Sequence, residues 1–328
     1  MKKIIALILF VSTMLTALAA FTACGEDTDN YKLKVGYLSG PTGMGMAKLI
    51  EDDKNSESPS YEFKQFSDPN TAVTEIISGQ LDLACVPTNT ASVLYNRTNG
   101  QVDVLALNTL GVLYLLEDGN TITSLSDLRG KTIYASVPGS TTEYILNHIL
   151  TTAGIDPEND VDIIYEPDHD ALVAKIVTGE AKLAVLPEPK VTAALVQSGK
   201  ESLRIAMSLT EEWDKISDTP LVQGCIVARK GIIDEHKSVI DKFLSDYEAS
   251  INYIKNPDNL DSAAQLIVSA GIIPKLPIAK TALPNSNITY IDGEDMKSAL
   301  SDFLTVLYQS NPQSIGGSMP EDDFYYAK

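Results

Sequence analysis

Short apolar runs bounded by turn residues recur along this chain, at Leu33–Leu38, Leu81–Val86, Thr132–Ala135 and 181–186, and they predict buried strands. Between them apolar residues fall three and four apart. That spacing predicts helices over Met44–Ile50, around Val73, Ile76 and Ile77, over Thr142–Leu150, and then over 234–255, 258–270 and 293–310. Strands alternating with helices predict an α/β fold rather than a bundle or a sandwich.

The alternation contains one unit twice. Residues 68–87 and 168–187 share Asp68/Asp168, Val73/Val173, Ile76/Ile176, Gly79/Gly179, Leu83/Leu183, Ala84/Ala184 and Pro87/Pro187 at a constant offset of 100. Each copy reads as a helix opened by Asp, a Gly stop, a buried strand and a loop opened by proline. Upstream, Tyr37-Leu38-Ser39-Gly40-Pro41 matches Tyr134-Ala135-Ser136-Val137-Pro138. Two similar lobes follow, with a ligand expected beyond the C-terminal ends of the strands. Extended runs at Asp103–Glu117 and Thr219–Ala228 read as two crossings, a hinge, with lobe 1 over 31–117 and 219–328 and lobe 2 over 118–218.

The first residues stand outside this pattern. Met1-Lys2-Lys3 ahead of the apolar stretch Ile4–Ala20 has the layout of a secretory signal over 1–23, although its length also suits a membrane span. Phe21-Thr22-Ala23-Cys24 resembles a bacterial lipobox, which implies cleavage before Cys24, lipidation of its thiol and a tether over 24–30. The other cysteines, Cys85 and Cys225, lie in strand-like runs and read as small buried hydrophobes rather than a bridge.

Composition narrows the partners. With 25 Lys+Arg against 44 Asp+Glu the 328 residues carry a net charge of −19, and removal of Lys2 and Lys3 with the signal takes it to −21. Such a chain repels phosphate backbones, so nucleic acid is not an expected partner. Small anions stay possible, because backbone N–H groups bind them without help from net charge.

The segments Ser124-Leu125-Ser126-Asp127-Leu128-Arg129-Gly130-Lys131 and Val137-Pro138-Gly139-Ser140-Thr141-Thr142-Glu143-Tyr144 resemble the solute-binding proteins of ABC importers. The branch is that of the nitrate, sulfonate, taurine and thiamine-precursor binders, and the resemblance spans essentially the whole mature chain. It implies a type II periplasmic-binding fold, whose two lobes close on a small-molecule solute and present it to the permease and ATPase subunits. It further implies a monomer without cofactor or catalysis, lipid-anchored on the outer face of the bacterial cytoplasmic membrane. The alternative on the same fold is an exported sensor or enzyme.

Paired loops supply the candidate ligand contacts. In lobe 1, Ser39, Thr42, Gly43 and Met44 join the first strand to its helix, where glycines allow close approach and a helix N-terminus offers free N–H groups. An ordinary tight turn, with Met44 in the core, explains the same residues. In lobe 2 the matching loop holds Ser136, Gly139, Ser140 and Thr141, whose hydroxyls serve equally as helix caps. After the third strands stand Thr88 and Asn89 in one copy and Glu188 in the other; Asn89 also suits a cap and Glu188 a solvated loop. Asn108, Tyr114 and Gln223, on the crossings, are weaker candidates.

No candidate loop contains an arginine, since the chain has only Arg97, Arg129, Arg204 and Arg229. Sulfonates and phosphonates are commonly held by arginine forks, so a strongly anionic ligand is disfavoured. Glu188 and Asn89 suit a neutral or amine-bearing ring such as a thiamine pyrimidine precursor. His148, His169 and His236 are scattered, no Gly-x-Ser-x-Gly elbow occurs, and no Gly-Lys-Ser/Thr follows the glycine loop, which argues against a metal site, a hydrolase and a nucleotide hydrolase.

Overall fold

A computed structural model describes residues 31–327; the expected signal, Cys24 and the tether lie outside the described residues. The first part of the chain folds as β1 (Leu33–Leu38), α1 (Pro41–Met44), α2 (Ala47–Lys54), β2 (Tyr61–Phe66), α3 (Pro69–Ile77), β3 (Leu83–Pro87), α4 (Thr88–Arg97) and β4 (Val102–Leu110). The middle part follows as β5 (Leu113–Asp118), β6 (Thr132–Ser136), α5 (Thr141–Thr152), β7 (Asp162–Glu166), α6 (His169–Thr178), β8 (Leu183–Pro187), α7 (Lys190–Ser198), β9 (Leu203–Ser208) and α8 (Leu209–Asp214). The rest is β10 (Val222–Arg229), α9 (Lys230–Glu235), α10 (Lys237–Lys255), α11 (Leu260–Ser269), α12 (Leu276–Ala282), β11 (Ile288–Ile291) and α13 (Gly293–Ser310).

The repeat becomes two matching sheets, ordered β2-β1-β3-β10-β4-β11 and β7-β6-β8-β5-β9. In each, three parallel strands come from the repeated unit, and the fourth strand runs antiparallel to its neighbour. That strand, β10 or β5, is the one that arrives directly after a crossing. The chain leaves the first sheet at residues 111–112 and returns through 215–221. The first crossing therefore falls before the expected lobe boundary at 117, because Leu113–Glu117 pairs along its whole length with β8. A long apolar run does not reveal which sheet each half of it joins.

Local chemistry repeats as well. Asp68 accepts from the N–H groups of Asn70 and Thr71 at the start of α3, and Asp168 accepts from that of Ala171 at the start of α6. Gly79 (φ +74°) and Gly179 (φ +84°) end those helices in the left-handed region that a side chain disfavours. α10 and α13 lay apolar faces against the first lobe, burying Phe243, Leu244, Tyr247, Phe303 and Leu304.

One apolar core runs from Leu38 and Val86 of the first sheet through Leu113, Trp213 and Leu221 at the crossings to Ile133 and Val185 of the second. A smaller one, around Leu172, Leu186 and Val191, covers the other face of the second sheet. Cys225 stands opposite Val86 and Cys85 opposite Ile226 in the antiparallel ladder, so the two thiols project from opposite faces of one sheet. Both are free and buried. Among the described residues no helix is long and apolar enough to cross a membrane.

Candidate functional site

β1 and β3 are parallel neighbours, with Val35 paired to Leu83, so the loops at their C-terminal ends lie side by side. Ser39 is exposed, and its hydroxyl accepts from Gln65 Nε2 at 3.0 Å. Gly40 holds φ +104°. A Cβ on Gly43 would stand 1.9 Å from the Leu38 carbonyl oxygen, so only glycine fits there. Met44 is wholly buried; these two residues serve packing. The Thr42 carbonyl accepts from Asn108 Nδ2 at 3.3 Å. Thr88 donates to the Val222 carbonyl at 2.8 Å, tying α4 to β10, and Asn89 Nδ2 donates to the Ser314 carbonyl at 3.4 Å.

In the second lobe β6 and β8 are the equivalent neighbours. Ser136 is fully buried, with its hydroxyl 2.6 Å from His169 Nδ1. Val137 (φ +58°) and Gly139 (φ +78°) turn the chain into α5. The Gly139 N–H donates to Glu143 Oε2 at 2.6 Å, and nothing stands within 4 Å of where a Gly139 side chain would begin. The Ser140 hydroxyl oxygen is buried without a hydrogen-bond partner, although Ser140 is the N-cap of α5, which begins at Thr141. Glu188 is 1% exposed; its carboxylate accepts from Thr192, from the N–H at 3.1 Å and the hydroxyl at 2.9 Å.

The two loop sets approach one another. A Cβ on Gly40 would lie 3.8 Å from Pro189 Cδ, which brings the loop after β1 against the loop after β8. Beside the crossing, Tyr114 donates to the Asn285 carbonyl at 3.0 Å and the Asn285 side chain bonds the Glu188 carboxylate. Gln223 accepts from the Val112 N–H at 2.6 Å. Burial dominates the electrostatics of this region. It pushes the Glu188 carboxyl above its ordinary range against the lowering effect of the Thr192 and Asn285 bonds. Tyr114 is pushed up to about 12, by burial first and the Glu188 charge second. His169 is pushed down to about 4, by burial first and then by Lys190.

His169 and Asn285 escaped the sequence reading. The signal for His169 is a divergence within the repeat, since the first copy has Pro69 at the matching position. Asn285 lies 171 residues beyond Tyr114, and no local pattern announces that contact. Among the described residues no group of three His, Cys, Asp or Glu side chains is arranged to hold a metal ion. A cavity of about 380 Å³ opens between α2 and α10 in the first lobe; of the ionic groups that line it, Lys48 pairs with Asp52 and Lys242 with Asp246, and Asp53 accepts from the Ser60 N–H.

A sequence profile of the family described as "ABC transporter, phosphonate, periplasmic substrate-binding protein" matches residues 57–273. No curated protein matches the sequence. Among solved structures, an ABC transporter from Parabacteroides distasonis is 23% identical with a TM-score of 0.76, over 90% of this chain and 99% of that one. The periplasmic aliphatic sulphonate binding protein SsuA from Escherichia coli is 15% identical with a TM-score of 0.71, over 90% and 92%. The periplasmic nitrate-binding protein NrtA from Synechocystis PCC 6803 is 15% identical with a TM-score of 0.61, over 85% and 81%. At such identities the likeness carries the fold, two α/β lobes of type II periplasmic-binding architecture.

Proposed function

The chain belongs to the periplasmic substrate-binding proteins of phosphonate ABC transporters, and from that membership we propose that its solute lies between the loops at the strand ends of the two lobes. As the extracytoplasmic component of an importer, it captures a small molecule and delivers it to a permease. In our reading Ser39, Thr42 and Asn89 face the solute from the first lobe, and Gly139, Ser140, Thr141 and Glu188 from the second, while Ser136 lies fully buried beneath them on His169. The observation that carries this is the approach of Gly40 to Pro189, which sets the two groups of loops against each other. A ligand touching both lobes is fully bound only when they are closed, so binding shifts the open–closed population.

The finer features belong to the same proposal. Cleavage before Cys24 and lipidation there hold a monomer at the membrane surface. The protein binds without catalysis: Ser136 and His169 form a Ser–His pair, but a fully buried hydroxyl is no accessible nucleophile. With Glu188 and Asn89 as polar contacts, the solute is a neutral or amine-bearing ring.

Mass spectrometry of solute released from the purified protein identifies the ligand directly. Ser140→Ala and Asn89→Ala, made separately, should each weaken its binding while thermal melts stay cooperative. Unchanged affinity in both variants refutes the cleft assignment.

A further inference from the structure

On that cleft assignment, the second-lobe loop that meets the solute already carries a negative charge of its own, the Glu143 carboxylate. Loops of this type offer anions the N–H groups that precede a helix. Here one such donor, the Gly139 N–H, is already taken by the Glu143 carboxylate at 2.6 Å. Glu143 lies in the first turn of α5, where a negative charge also balances the helix dipole. Next to it the Ser140 hydroxyl oxygen is buried with no partner, and the space beside Gly139 is open. The loop therefore keeps unused hydrogen-bonding capacity while an internal anion fills its charge requirement.

Among the described residues no lysine or arginine forms an ion pair with that carboxylate. Arg129 pairs with Asp160, Arg204 with Glu117 and Arg229 with Asp82, while Arg97 is exposed at the C-terminal end of α4, opposite the Thr88–Asn89 loop. Lys190, at the start of α7, pairs with Asp170. The Glu143 charge extends to Tyr165 on β7, whose phenol is pushed up to about 12 by burial and then by Glu143.

We propose that Glu143 stands in for a ligand anion at the entrance to α5, and so excludes phosphonate and sulfonate head groups in favour of a solute that is neutral or cationic where it meets this loop. A phosphonate entering there would have to displace a covalently tethered carboxylate and then sit beside it. A hydrogen-bond donor or an ammonium group would meet Glu143 as an acceptor.

The test is titration calorimetry at pH 7 with methylphosphonate and ethanesulfonate on wild type, Glu143→Gln and Glu143→Ala. Gln keeps an acceptor for the Gly139 N–H, so it removes the charge with the turn retained, and a thermal melt checks that both variants fold. Both variants should bind at least one probe about tenfold or more tighter than wild type does. No gain in either variant, whether wild type already binds tightly or none of the three binds, overturns the proposal and leaves the cleft assignment standing. Adding Ser140→Ala to Glu143→Gln should abolish the gained binding. Gained binding that survives Ser140→Ala and Asn89→Ala together places the anion elsewhere and overturns the cleft assignment with it.

Discussion

Ser136 Oγ lies 2.6 Å from His169 Nδ1, joining the end of β6 to the start of α6 beneath the loop that opens α5. Burial first, and the nearby Lys190 second, hold His169 down to about 4. Above pH 6.5 the imidazole is neutral whether the chain is folded or not. As pH falls from 6.5 toward 4 the unfolded chain takes up the proton and the native one does not, so stability is lost across that window, by about 3 kcal/mol from this group. Urea denaturation at pH 7 and pH 4.5 measures the loss, and His169→Gln should remove most of it. Equal losses in the variant and in wild type would mean that the buried imidazole is not what titrates.

Glu188 acts with the opposite sign. Burial raises its carboxyl pKa, so the native state prefers the neutral acid. The stability it contributes is complete below the ordinary carboxyl range and is lost as pH rises through the raised value. Glu188→Gln should therefore stabilise the protein more at pH 8 than at pH 4.5. Glu188→Ala leaves the Thr192 N–H without its acceptor and should cost about 1–3 kcal/mol. Thermal melts of the two variants at both pH values decide; a Gln variant that loses stability equally at each would refute the buried-charge account.

Asp82 is wholly buried and is held by the Arg229 guanidinium at 2.6 Å and the Lys34 N–H at 2.9 Å, linking β1, β3 and β10. Position 182 of the second copy is a lysine, and in that lobe a different buried carboxylate, Glu117, pairs with Arg204. Removing one partner of such a pair strands a charge, so Arg229→Met should cost about 3–5 kcal/mol. Arg229→Lys should not restore it, since lysine lacks the fork that reaches both Asp82 and the Leu81 carbonyl. Denaturant midpoints within error of wild type for Arg229→Met would show the pair to be neutral.

The repeat made the fold legible because each copy is built from local rules: Asp68 and Asp168 cap, Gly79 and Gly179 stop, and Leu83–Pro87 and Leu183–Pro187 are strands at the same offset. α12 and β11 have no copy in the other lobe; Ile288–Ile291 forms its strand against the edge of β4. The candidate loops were legible for the same reason as the strands, but their partners were not. Asn89 reaches a carbonyl 225 residues away, and Ser136 a histidine that the first copy lacks. Side-chain partnerships across long stretches of chain depend on packing that periodicity does not encode.

Trp213 is the only tryptophan in the chain, which makes the junction of the lobes observable. It is wholly buried, donates from Nε1 to the Thr219 carbonyl at 2.8 Å on the return crossing, and packs between His148 of α5, tilted at 46°, and the edge-on ring of Phe303 of α13, with centroids 5.2 and 5.7 Å away. The helix that carries the Ser140 loop thus meets a first-lobe helix partly through this indole, and lobe movement should alter its surroundings. Adding the solute identified by mass spectrometry should shift Trp213 emission with the same midpoint as calorimetric binding. Burial lowers the His148 pKa, so quenching by a protonated imidazole should begin only once pH falls below the ordinary histidine value of about 6.5. Trp213→Ala should cost about 3–5 kcal/mol through the void it leaves. An emission unchanged at saturating solute would mean that closure turns about an axis that leaves these ring contacts intact, with the coupling between lobes carried instead by Tyr114 and Asn285.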